Sequence, residues 1–592
     1  MPVSDFSTNT DKMTQVMKVA LGENAADLAI INGDVVNVYT SEVMPKQIVL
    51  IKGNRIAYVG NKTVSSSFGP ETKIINAEVK TLIPGLIDGH THSDEQYLVG
   101  ALVNYAIKGS TTTIITETAA IGSLLGYKGI IEFIKMCRNQ PVRFFFTIPP
   151  IICVSPSAEE NCALSPLELK RLLRQKDVVG LGEVSWAQVN ENHARLLETI
   201  AATINSGKQV DGHAAGAREH KLQAFFSTGI SSCHESTNVE EVLERLRIGV
   251  FVPIREGEVR KDLKETSGIK DLNIDKNLLG VSADGVDPRQ LVNEGYMDFI
   301  VQKTINSGFN PVSAIQMASI NVARHFGLNF IGGIAPGKLA DIVIIPDLQN
   351  VKAETVIVNG QIAFEKGQVA AKARAASFPQ SFKHTVRLLN DWSENDFNIQ
   401  TDKQRSVSVR VIDQVSDLVT REVVLPFTVN NGFLETSVSE NILKVAVIDR
   451  YWEPGAFSVG FIRGFGLRKG AIATSSAWDC AHIIVVGENN VDMALAVNRI
   501  RELQGGTVVC AENKVVQELP LPIAGLFSDK SMEIIARKYD DIQFAAQKFG
   551  TTLSDFHMSL QILATPSIPF LRICEKGLFD LKKNKFVSLI VE

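Results

Sequence analysis

At 592 residues the chain is too long for one hydrophobic core, and ordinary domain sizes predict three or four units. Hydrophobic residues make up 45% and charged residues 21%, an ordinary globular balance, and a net charge of -5 gives no electrostatic case for nucleic acid or an anionic membrane. Small molecules are the expected partners.

The N-terminal MPVSDFSTNTDKMTQ lacks a basic start followed by an apolar core, and no apolar run approaches the roughly 18 residues of a spanning helix. A cytoplasmic protein is expected. Seven cysteines (Cys137, Cys153, Cys162, Cys233, Cys480, Cys510 and Cys574) are scattered without a C-x-x-C pair. That argues against a disulfide framework or a cysteine-rich zinc site and for reduced, mostly buried thiols.

The first elements, ADLAIINGDVVNVY (Ala26–Tyr39) and QIVLIKGNRIAYVG (Gln47–Gly60), are rich in Ile and Val and broken by Asn-Gly and Gly-Asn turns. They read as antiparallel strands. Similar lettering returns at Ala340–Ile345 and Thr355–Phe364, around Asn359-Gly360. Two separated stretches are therefore expected to form one small β domain around an inserted larger one.

Between them PGLIDGHTHSD (Pro84–Asp94) places His90 and His92 on either side of one threonine. In a strand, side chains two apart share a face, so both imidazoles can reach one point, although a lone H-x-H also fits surface histidines after a turn. Next, short apolar runs alternate with amphipathic stretches: STTTIIT, VRFFFTI, VVGLGEV, KQVDGH, GISSCHE and LLGVSADG. That rhythm predicts parallel strands joined by helices, with polar residues where the strands end. After GISSCHE, Thr237 and Glu240 form a T-x-x-E capping box, and Val239, Leu243 and Leu246 supply the apolar stripe of the helix that follows.

Glu183 closes VVGLGE, His213 ends KQVDGH, His234 ends GISSCH and Asp284 ends LLGVSAD. In a closed barrel of such units all four meet at the carboxyl-end mouth with His90 and His92. Four histidines and two carboxylates suit one or two divalent ions, with a carboxylate able to bridge a pair. Such a centre makes hydroxide accessible at neutral pH and needs an acidic side chain to carry protons. Asp284 is the first candidate, Glu183 a ligand or bridge, and Glu235 and Asp94 further acids; solvated loop carboxylates are the bland reading of the last two.

Beyond about Gly367 the composition changes to KGQVAAKARAASFPQSFKHTVRL, read as a domain boundary. In the region that follows, the strand HIIVVG (His482–Gly487) leads to a helix with Met493, Val497, Ile500 and Leu503 on one face. Gly505-Gly506 stops that helix and the strand GTVVC follows.

Together, PGLIDGHTHSD, GLGE, VDGHAAGAR, CHEST and IREG resemble the amidohydrolase superfamily and specifically its adenine deaminase family. The likeness continues through MASINVARHFGL, GGIAPGKLADIVII, FIRGFGLRKGAIA, DMALAVNRIRELQGG and ELPLPIAGL. It implies an α/β fold: a (β/α)8 TIM-type barrel (81–331), a small composite β-sandwich (1–80 and 332–367) and a C-terminal α/β domain (368–592). It also implies hydrolysis of adenine to hypoxanthine and ammonia by a homo-oligomer. His90, His92, Glu183, His213, His234 and Asp284 match the metal positions, with a binuclear manganese or iron centre the family's usual one and zinc compatible with the same donors. Glu183 stands where many cyclic-amide hydrolases carry a carboxylated lysine, which favours the deaminase branch. The catalytic set is then Asp284, Glu183 and Glu235, and Asp94, Arg218 and Arg255 are the substrate-binding candidates.

Three segments depart from the family pattern. D-P-H-E becomes TETA (Thr116–Ala119), leaving Glu117 as a substitute; T-D-D-x-H-P becomes SADGVDP (Ser282–Pro288), with Asp287 one candidate for the missing acid. A-H-D-S-H-N becomes AWDCAH (Ala477–His482), with Trp478 at the first histidine and His482 displaced by one position, which reverses its face in a strand. They leave room for another nitrogen heterocycle, such as a substituted purine, pterin or cyclic amide, or for a silent metal-binding homologue.

Overall fold

The computed structural model describes residues 9–62, 65–150, 155–375, 378–403, 405–478, 480–565 and 570–591, with side chains at 156–158 set aside. Cys153 and Asp479 lie outside the described residues; the six other cysteines are free and buried.

The two Ile/Val-rich stretches join in one nine-stranded sheet. Leu28–Asn37, Glu42–Lys52 and Arg55–Gly60 pair in antiparallel order, and the returning Ile342–Ile345 pairs antiparallel with Thr81–Pro84, Val343 opposite Ile83. Leu28, Ile51, Ile342 and Ile357, drawn from both stretches, share one core. Burying apolar side chains from chain segments about 300 residues apart is what makes this small domain composite.

Inserted in it are eight parallel strands: β1 (Leu86–Thr91), β2 (Thr111–Thr116), β3 (Arg143–Ile148), β4 (Val178–Ser185), β5 (Gln209–His213), β6 (Ser232–Cys233), β7 (Val252–Arg255) and β8 (Leu279–Ser282). The first six are paired in chain order, β7 pairs β8, and a parallel bridge between Ser232 and Phe251 joins the two groups. The ring closes where the Asp284 N–H donates to the His90 carbonyl at 3.0 Å and the Ala283 N–H to the Asp88 carboxylate at 3.1 Å. Every residue of β1, β2 and β3 is buried, as expected of barrel strands covered by helices.

The helix after β6 spans Val239–Arg247, and its cap is Asn238 rather than Thr237: the Asn238 side chain accepts from the Glu241 N–H at 3.0 Å. Glu241, not Glu240, reaches back to the Thr237 N–H at 2.9 Å. The N-cap thus sits one residue further along than Thr237, since Asn is at least as good a cap as Thr. The buried stripe shifts too: Val242 is fully buried, while Val239, Leu243 and Leu246 pack partly buried against the core.

A second nine-stranded sheet, mainly antiparallel, forms the C-terminal region. His482–Gly487 lies between Ile442–Asp449 and Ala471–Thr474, and the helix Asn490–Leu503 buries Met493, Val497 and Ile500 on its face. Gln504, at φ 59°, takes the left-handed position that ends the helix, immediately before Gly505. Phe527–Ser528 of this region pair in parallel with Gln96–Tyr97, directly after the H-x-H strand. Main-chain hydrogen bonds thus stitch the C-terminal domain to the barrel mouth.

Arg143 opens β3 fully buried, and its guanidinium bonds Asp341 at 2.7 Å and Asn359 at 2.6 Å in the composite sheet. Removing one member of such a pair leaves the other charge buried without compensation. Arg143→Ala is expected to cost roughly 3–5 kcal/mol, read as a lowered urea midpoint against the parent protein; an unchanged midpoint would show that barrel and sheet do not depend on this contact.

Candidate active site

The strand ends carry the chemistry. His90 and His92 leave β1 with both imidazoles buried, and Glu183, near the end of β4, places a single oxygen, Oε1, 3.1 Å from His90 Nε2, 3.4 Å from His92 Nε2 and 3.2 Å from His234 Nε2. Its other oxygen, Oε2, lies 3.8 Å from His213 Nδ1. Asp284 Oδ1 approaches His90 Nε2 at 3.3 Å and His92 Nε2 at 3.5 Å. Glu183 therefore stands between two histidine groups, His90 and His92 with Asp284 on one side and His213 on the other, while His234 stacks on His90 at 4.2 Å.

Backbone geometry aims these groups. Asp284 has φ 50°, a left-handed conformation that Asp tolerates better than bulky residues and that turns the chain off β8. Behind the histidines, Asp88 accepts from the His90 N–H at 3.3 Å, the Ala283 N–H at 3.1 Å and the Tyr296 hydroxyl at 2.7 Å, tying β1 to β8. Burial pushes the Asp88 carboxyl up to about 6, against those three donors.

Charges balance within the site. Burial and His234 push the His90 imidazole down, yet hydrogen bonds to Asp284 and Glu183 outweigh them and raise it to about 9. Burial also opposes ionisation of Glu235, but Arg255, with His213 and His234, holds it well below the usual carboxylate range. The Arg255 guanidinium is committed to carboxylates: Nη1 meets Glu235 at 2.5 Å and Asp284 at 3.2 Å, and Nε meets Asp262 at 2.9 Å.

A cavity of about 290 Å³ opens above these groups. Glu183, His213, Glu235, Arg255 and Asp284 line its barrel side, and Leu418, Val419, Trp478, Met558 and Ile562 its other side. The remaining candidates stand elsewhere. Asp94 does not line the cavity; it is buried and accepts from the Ile121 N–H at 3.1 Å, with burial raising its carboxyl to about 6. Arg218 is 37% exposed and paired with Glu241 at 2.9 Å and Glu244 at 3.1 Å. Asp287 caps the helix Pro288–Asn293 and is clasped by Arg289, so it is no free acid for the cavity. His482 is buried in the C-terminal domain against Glu575 at 2.9 Å.

Two contributors escaped the sequence reading or were only half seen. Glu117, in the TETA segment, is buried, neither of its oxygens makes a hydrogen bond among the described residues, and Oε1 lies 3.8 Å from His90 Nδ1. Burial raises its carboxyl to about 7. The second glycine of GLGE makes room for it: a Cβ on Gly182 would sit 1.9 Å from Glu117 Oε2. Trp478 comes from the C-terminal domain, and its ring lies 4.9 Å from that of His92. No local pattern around Trp478 signals a barrel partner almost 400 residues earlier.

The donor set suits a divalent metal. His92 Nε2 and His234 Nε2 are buried and make no hydrogen bond among the described residues, yet both face Glu183 Oε1. Buried nitrogen acceptors converging on carboxylate oxygens are costly unless something else satisfies them, and His90, Glu183, His234 and Asp284 lie close enough together to share one ion. Imidazole and carboxylate donors of this kind fit zinc, manganese or iron(II).

Residues 81–363 match the Amidohydrolase family and residues 417–585 the Adenine deaminase C-terminal domain. An adenine deaminase of Moorella thermoacetica is 34% identical over 97% of this chain and 98% of its own. Another, from Staphylothermus marinus, is 34% identical over 99% of both. Among solved structures, a beta-aspartyl dipeptidase of Fervidobacterium islandicum AW-1 is 18% identical with a TM-score of 0.45, over 58% of this chain and 97% of that one. Among the described residues, no helix is long and apolar enough to cross a membrane.

Proposed function

The chain belongs to the adenine deaminase family of amidohydrolases, and we propose that it hydrolyses adenine to hypoxanthine and ammonia at the mouth of its barrel. The observation that carries the reading is Glu183, whose two oxygens face different histidines at the floor of one cavity. On this reading residues 81–331 are the catalytic barrel, 1–80 and 332–367 the composite sandwich, and 368–592 the C-terminal domain.

His90, His92, Glu183, His213, His234 and Asp284 would hold one or two divalent ions; manganese or iron is expected, and zinc fits the same donors. The chemistry a divalent ion supplies in such a set is acidification of water, from a pKa of 15.7 to about 7. Asp284, held by Arg255 at the cavity edge, takes the proton of the attacking water as its oxygen adds to C6 of the purine. It returns that proton to the adjacent ring nitrogen. The proton of the new hydroxyl then passes by the same carboxylate to the amino group, the C6–N bond breaks and ammonia leaves. Glu235, kept ionised by Arg255, acts as a fixed hydrogen-bond acceptor for the substrate's N–H groups. Arg255, committed to Glu235, Asp284 and Asp262, orients the two site carboxylates and leaves no guanidinium edge for an anionic substrate.

The test is ammonia release and purine ultraviolet change on purified protein supplied with manganese. Turnover of adenine that a chelator abolishes and added metal restores is the expected result. A folded, metal-loaded protein that leaves adenine unchanged would overturn the substrate.

A further inference from the structure

The cavity has two unlike walls. Its barrel side is charged, while its C-terminal side is built from Trp478, Leu418, Met558 and Ile562, which form a small apolar cluster of their own. A purine is unlike in the same way, with apolar faces and a polar edge. We propose that the C-terminal domain supplies the wall against which the face of the substrate ring lies, and that Trp478 is the residue that sets this wall and so positions the ring edge over Asp284 and Glu235. This rests on the deamination reading for the identity of the ring.

Three observations make the wall a built part of the site. Trp478 is 8% exposed and its ring meets that of His92 at 4.9 Å, inclined by 56°, so it borders the metal-ligating floor directly. Its loop is held at two atoms by Gln561, which accepts from the Trp478 N–H at 3.0 Å and donates its amide to the Ser476 hydroxyl at 3.0 Å. Ser476 in turn donates to the Glu95 carboxylate at 2.8 Å, three residues after His92. With Phe527–Ser528 paired to Gln96–Tyr97, the strand that carries the first two histidines and the loop that carries Trp478 are fixed to each other by side chain and main chain. A tryptophan where the family pattern has a histidine thus exchanges a titratable, hydrogen-bonding group for a large apolar face.

The test uses full-length, metal-loaded protein and the variants Trp478→Ala and Trp478→Phe, with metal content measured in each. Losing one base–aromatic stack should raise KM for adenine in Trp478→Ala by roughly ten- to a hundredfold, with kcat and metal content changed far less. Trp478→Phe should restore most of the loss. Adenine should also quench the intrinsic fluorescence of the parent protein, and the quench should disappear in Trp478→Phe although the chain's three other tryptophans remain. Unchanged KM in Trp478→Ala, or the same quench in Trp478→Phe as in the parent, overturns the proposal. If the parent binds adenine with a quench that depends on Trp478 but does not turn it over, the activity reading falls and the wall stands.

Discussion

Glu183→Ala is expected to lower kcat about a thousandfold or more and to release bound metal in the same step, because residues that act as one catalytic unit fail together. The physical reason is local. One Glu183 oxygen lies within 3.4 Å of His90, His92 and His234, and the other faces His213. Without that carboxylate the four imidazoles lose their common negative partner, and the two histidine groups no longer share a ligand. Metal content by elemental analysis, together with kcat on adenine, checks it. A variant that keeps its full metal content and loses less than tenfold in kcat would remove Glu183 from the centre.

The second large effect is expected for Asp284→Asn. The amide keeps an oxygen toward His90 and His92 but cannot take a proton from water, so kcat should fall by roughly 10²- to 10⁴-fold, the usual weight of general acid–base catalysis. Because Arg255 also contacts Glu235 and Asp262, the surroundings should hold their shape. The distinguishing readout is the ratio between the two variants: Asp284→Asn should retain more metal than Glu183→Ala at comparable loss of turnover. Equal metal loss in both would make Asp284 chiefly a ligand and move the proton carrier elsewhere, with Glu117, 3.8 Å from His90, one carboxyl in reach.

The departures from the family pattern acquire separate meanings. At TETA, Glu117 returns a carboxylate to the back of His90, in space cleared by Gly182. At SADGVDP, Asp287 is absorbed in capping a helix and pairing with Arg289, so Asp284 is the acid that this segment gives the cavity. At AWDCAH, His482 turns inward to Glu575 while Trp478 turns toward the barrel. Changed letters in one family pattern thus give a supporting group, a structural cap and a new wall.

By itself the sequence determined the repeating order of strand and helix, the composite sheet and the six strand-end residues that converge, because these depend on local periodicity and on where strands stop. His90 and His92 share a face for a reason internal to one strand, and His213, His234, Glu183 and Asp284 end parallel strands that a closed barrel points the same way. The helix cap was legible only to within one residue, since Thr237 and Asn238 are both competent caps and packing chose between them. Tertiary structure alone decided that Arg218 pairs on an exposed face, that Asp94 bonds a helix backbone and that Arg255 is consumed by carboxylates. It also brought Trp478, Met558 and Ile562 over a floor laid down some 190 to 470 residues earlier in the chain. Burial of apolar surface between distant segments drives such meetings, and it leaves no periodic mark in the local sequence of either partner.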